Sequence, residues 1–174
     1  MSARNRQYLL LAAGCLLGIA SYASAGDPAP APRFGMLDPA LARSDYIENC
    51  GGCHGVTGST APAAVPELRG RVGYFLCTPE TRAYLLRLPN VAHSRIGDDQ
   101  RLAEVMNYVV FVLGGASAPP GRLPFDGAEV ARERRHALSA ANLTDERARN
   151  VRIVMRQCNG PASLRSMYDP LHSR

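Results

Sequence analysis

The stretch Cys50-Gly51-Gly52-Cys53-His54 constrains this chain more than anything else in its sequence. Two thiols three positions apart, followed at once by an imidazole, fit the attachment site of a c-type haem. Each cysteine can form a thioether with one vinyl group of a porphyrin, and the adjoining histidine can offer its imidazole to the iron as proximal ligand. Gly51 and Gly52 carry no side chains, so the backbone can pass close to a flat macrocycle. Three other chemistries use paired cysteines: a thioredoxin-like redox pair, half of a zinc site, and a plain disulfide. The redox pair expects a preceding strand in a βαβ setting, which this chain lacks. A zinc site needs a second ligand pair at finger-like spacing, and none follows.

The first residues read as a secretory signal over 1–25. Arg4 and Arg6 precede an apolar run from Tyr8 to Ala20, and Ala23-Ser24-Ala25 supplies a small-residue cleavage site before Gly26. Cleavage after Ala25 is the expectation; a lipid-modified Cys15 and a retained anchor are the alternatives, the run being short for a membrane span. No second long apolar segment follows, so the mature chain is expected to have no transmembrane span. An exported chain of this kind belongs in the periplasm of a bacterium, where covalent haem attachment takes place and disulfides survive. With Cys50 and Cys53 taken by haem, Cys77 and Cys158 remain. They are expected to form a disulfide that staples the C-terminal segment in place, worth about 4 kcal/mol on the chain-entropy account. Two separate buried thiols are the alternative.

All the positive charge is arginine, for the chain contains no lysine. From Gly26 to Ser117 nine acidic residues nearly balance eight arginines; from Ala118 onward six acidic residues face ten arginines. The basic part is the tail. Nucleic acid is not expected as a partner of an exported haem protein, so a basic face suggests an acidic protein surface or anionic lipid. A merely solvated arginine-rich tail is the competing reading.

Taken in order, residues 26–35 form a proline-rich linker. Asp38-Pro39 is a helix cap followed by proline at the first helical position, and Leu41, Tyr46 and Ile47 lead an amphipathic helix into the cysteines. Residues 55–66 have no helical period and read as a loop. Thr78-Pro79-Glu80 repeats the cap signal, predicting a short helix to about Leu88 and a loop from Asn90 to Arg95. Asp98-Asp99-Gln100 opens a helix in which Leu102, Val105, Met106 and Val109 recur at three and four residues, ending at Gly114-Gly115. Asp126 and Thr144 cap two further predicted helices, Ala128 to about Leu138 and a second reaching Cys158. That segment is too small to bury a core of its own, so it should pack on the haem-bearing part or on a partner.

A helix leading into Cys-x-x-Cys-His-Gly, a proline-bearing loop and a terminal helix with the step Asn107-Tyr108 resemble the class I c-type cytochromes. The resemblance covers about Met36 to Gly114. It implies an all-α fold: a cytochrome c domain over 36–116 around one covalent haem c, with a helical C-terminal extension over 117–174. In that family the first and last helices cross near a haem edge, and Tyr46 and Tyr108 are the aromatic candidates for the crossing. The family usually supplies a methionine sulfur to the iron from the loop before the last helix, but no methionine lies between Gly55 and Arg101. His93, in that loop, is the candidate sixth ligand. Met106 is the lesser candidate, since its spacing places it on the apolar helical stripe. Arg69 and Arg71 are candidate donors to the haem propionates.

The function implied is one-electron transfer with no catalytic residues, serving a periplasmic dehydrogenase, oxidase or reductase as redox partner. A haem protein with an open sixth position, acting in ligand binding or peroxide chemistry, is one alternative. A tightly bound cytochrome subunit of a larger oxidoreductase is another.

Overall fold

The computed structural model describes residues 33–59, 65–139, 141 and 143–165. The signal expected over 1–25, and the linker as far as Pro32, lie outside the described residues.

Helix α1, Pro39–Asn49, begins as its cap signal requires. The Asp38 carboxylate accepts from the backbone N–H groups of Ala40 and Leu41 at 3.0 Å, and Pro39 occupies a position whose N–H would have no helical partner. One short helical turn, α2 (Gly51–His54), follows directly. A 3-10 turn over Val72–Leu76 leads to α3, Pro79–Arg87, where Thr78 and Thr81 cap each other reciprocally. The loop expected at Asn90 is instead the start of another helical turn, α4 (Pro89–Ala92), because Pro89 serves as its first residue. Helix α5, Asp99–Asn107, opens on the Asp98 carboxylate and continues as wider π-helical turns over Tyr108–Leu113. Helix α6 is Gly127–Arg134, shorter than its period predicts, and α7 is Leu143–Gln157.

Helix α1 crosses α5. At the crossing the rings of Tyr46 and Tyr108 lie 5.5 Å apart, tilted by 44°. A fork from Arg101 to the buried Asp45 carboxylate, at 2.5 and 2.6 Å, ties the same two helices. The 3-10 turn then meets the end of the last core helix so closely that no side chain fits between. A Cβ on Gly73 would come within 2.4 Å of the Ala118 nitrogen. The fold is all-α and cytochrome c-like; no strand occurs among the described residues, and none of their helices is long and apolar enough to cross a membrane.

The segment after Ser117 joins this core. Phe125, Val130, Val151, Val154 and Leu164 are buried in one cluster with Tyr46, Phe75 and Val110. Asn107, fully buried, clamps the start of the segment by donating to the Phe125 carbonyl at 2.9 Å and accepting from its N–H at 2.7 Å. Cys77 and Cys158 are joined by a disulfide that fixes the end of α7 beside the 3-10 turn. At the other end, residues 33–35, expected in the linker, pack on the core. A turn with positive φ at Phe34 and Gly35 lets Phe34 stack on Phe111 at 5.1 Å.

Candidate functional site

Helix α1 delivers Cys50 at its C-terminal end, where its N–H donates to the Tyr46 carbonyl at 2.8 Å. The turn α2 then carries Cys53 and His54. Both cysteines are free thiols, Cys50 half-buried and Cys53 exposed. Burial pushes the Cys50 thiol up to about 11, with the neighbouring Cys53 adding to the shift.

His54 is oriented by one contact. Its Nδ1 lies 3.1 Å from the carbonyl oxygen of Pro66. A carbonyl can only accept, so Nδ1 carries the hydrogen and the lone pair is left on Nε2. Burial holds the imidazole below its ordinary pKa; the Pro66 carbonyl works against this and the Arg147 charge works with it. A neutral ring whose Nδ1–H is held by a backbone carbonyl, leaving Nε2 free, is what a histidine ligand to a metal requires.

Beside Cys50 and His54 opens a cavity of about 260 Å³. Its walls are drawn from several elements: Tyr46 of α1, Val72 and Phe75 of the 3-10 turn, Tyr84 and Leu85 of α3, Val91 of α4, Met106 and Val109 of the last core helix, and Leu143 and Arg147 of α7. The lining is mostly apolar, with the Cys50 thiol and the His54 imidazole at one edge. Side chains of this chemistry could hold a flat apolar macrocycle covalently and ligate its iron. Tyr46 closes the site behind Cys50. Its hydroxyl donates to the Gly55 carbonyl at 2.7 Å, and burial raises its pKa to about 12.

The other residues singled out by sequence are placed unevenly. Met106 lines the cavity and is buried, so it serves as core and as cavity wall at once. His93 is not brought to the cavity. It caps the C-terminal end of α4, exposed, because the helical turn begun by Pro89 presents Val91 inward and leaves His93 outside. Its loop is held there by Arg134, which donates to the Ala92 carbonyl at 2.9 Å and to Asp99 at 2.7 Å. Neither Arg69 nor Arg71 lines the cavity. Arg69 is exposed, while Arg71 donates to Glu67 and to the Ser163 carbonyl, both at 3.1 Å. Tyr84 and Arg147 are cavity residues that the sequence did not single out. Leu143 and Arg147 share one face of α7 at a spacing of four, but nothing in the sequence connects that face to the cysteine motif.

The helical fold is cytochrome c-like. The comparisons with known proteins point the same way: the chain is similar to "Cytochrome c-552" of Thermus thermophilus, 27% identical over 128 residues. That likeness covers 62% of this chain and 86% of the relative, and it supports a c-type cytochrome that carries electrons. No family model matches the chain, and no solved structure matches it.

Proposed function

We propose that the protein is a class I, monohaem c-type cytochrome that carries single electrons between a periplasmic dehydrogenase or reductase and the respiratory chain. The observation that carries this reading is the contact of His54 Nδ1 with the Pro66 carbonyl, which leaves Nε2 as the nitrogen with the lone pair on a ring that lines an apolar cavity together with Cys50. Haem, when bound, supplies the ferric–ferrous couple. Cys50 and Cys53 would anchor it by thioethers, and His54 would be its proximal ligand, kept neutral by burial and kept in register by Pro66. The apolar walls exclude water. Export with cleavage after Ala25, and a division into a haem domain over 36–116 and an extension over 117–174, belong to the same reading.

One observation favours the second reading, a haem protein with an open sixth position. His93 stands outside the cavity, so Met106 is the sulfur left on its wall. Spectra of the purified protein test both readings at once. Covalent haem that survives denaturation, and is lost in Cys50→Ala/Cys53→Ala, is expected; its absence from the unsubstituted protein would overturn the proposal. A low-spin spectrum unaffected by carbon monoxide and converted to high spin by Met106→Leu would assign Met106 as ligand. A high-spin spectrum that responds to carbon monoxide would establish the open position. His93→Ala should leave the spectrum unchanged.

A further inference from the structure

Arg147 is the one permanently charged side chain among the described residues that line the cavity. Its guanidinium lies against the Tyr84 hydroxyl, and it forms no ion pair among the described residues. Of its neighbours on α7, Glu146 pairs with Arg149, which also reaches Glu80 on α3. A cation beside an apolar wall is unfavourable unless an anion or hydrogen-bond acceptors compensate it. The position is also held from both sides. The ion pair of Arg149 with Glu80 holds α7 on α3, and the Cys77–Cys158 disulfide fixes the helix end.

A guanidinium on the wall of an apolar cavity, with a phenol hydroxyl beside it and no ion pair to a carboxylate among the described residues, favours an occupant that carries an acid group. We infer that Arg147, contributed by the C-terminal extension, is the charge partner of a carboxylate on the group held in this cavity, a haem propionate on the reading proposed above. The inference rests on that reading. It replaces the expected donors Arg69 and Arg71, which lie outside the cavity, and it makes the extension part of the cofactor site. Arg147 is a positioning residue. It holds the carboxylate, and through that pairing it sets how much negative charge the iron experiences.

Redox titration with infrared detection tests it. Removing the guanidinium leaves the carboxylate uncompensated, which favours the ferric state and lowers the potential. In Arg147→Gln the ferric-to-ferrous ratio at fixed applied potential should rise about tenfold, about 59 mV for a one-electron couple. Arg147→Met, which packs better on an apolar wall, should show the same fall if the glutamine variant does not accumulate. Arg147→Lys should retain most of the potential, and Arg156→Gln, exposed on the same helix, should leave it unchanged. A potential effect alone would also follow from any nearby cation, so the deciding signal is the carboxylate stretch in the redox-difference infrared spectrum, which should shift in Arg147→Met. An unshifted band, or an unchanged potential in a protein that still holds haem, would overturn the inference. So would a loss of azide affinity without either change, which would place the anion at the iron. Absence of covalent haem from the unsubstituted protein would instead defeat the functional reading beneath it.

Discussion

Cys50 and Cys53 lie within one turn of chain and meet solvent very differently. The backbone N–H of Cys50 closes the last turn of α1 and its thiol faces the cavity, whereas Cys53 is exposed. Burial therefore suppresses the thiolate of Cys50, whose pKa of about 11 stands above the ordinary thiol value. In chain made without haem attachment, iodoacetamide at pH 8 should alkylate Cys53 well before Cys50, with the Cys50 rate reduced about a hundredfold relative to an ordinary thiol. Peptide mapping by mass spectrometry reads this directly. Equal rates would mean that the cavity wall is open to water in that chain. The motif was legible in the sequence because its five residues are contiguous. The carbonyl of Pro66 was not, since a backbone acceptor leaves no mark on residue type.

Among the elements, α6 does the most to fix the loop beside the cavity. Arg134 donates to the carbonyls of Ala92, Ser94 and Ile96 and pairs with Asp99. Next to it Glu133, buried, accepts from Arg87 at 2.8 Å and from Arg132 at 2.9 Å. Burial alone would raise the Glu133 carboxyl, but the hydrogen bonds and charges of Arg87 and Arg132 outweigh it and hold it below the usual carboxylate range. A carboxyl lowered in the folded state contributes stability above its unfolded pKa, near about 4.3, and that contribution is lost as pH falls through the folded value. Melting temperature should therefore drop more steeply between pH 5 and pH 3 in the unsubstituted protein than in Glu133→Gln. Parallel curves would assign the acid sensitivity elsewhere. Sequence reading placed the starts of α1, α3, α5 and α6 because Asp38, Thr78, Asp98 and Asp126 cap them through local bonds. It did not place α4 as a helical turn, and it read the tail arginines as a solvated or docking face. Arg134 is bound instead by carbonyls some forty residues away, a relation with no periodic signature.

At the scale of the whole molecule, the extension after Ser117 is built into the core. Asn107 grips Phe125, and the Arg82 guanidinium lies 4.0 Å over the Phe125 ring while forking onto Glu129 at 2.7 Å. Beyond these and the exposed Arg149–Glu80 ion pair, α7 is held by two different means, the apolar face of Val151 and Val154 and the Cys77–Cys158 bond across a sequence separation of 81. The sequence showed that two cysteines remained to pair, but not that their pairing would bring Arg147 to the cavity. The two means separate experimentally. In Cys77→Ser/Cys158→Ser the packed face remains while the constraint on the unfolded chain is gone, at most about 4 kcal/mol on the entropic account. Melting temperature should fall by roughly 10 °C, with helical content kept at 25 °C. If α7 stays seated through packing, hydrogen exchange over residues 143–157 should remain protected, and only the last turn near Cys158 should exchange faster. If the whole helix exchanges freely while α1 and α5 stay protected, the disulfide is what seats α7, and the reduced protein would carry a cavity missing one wall.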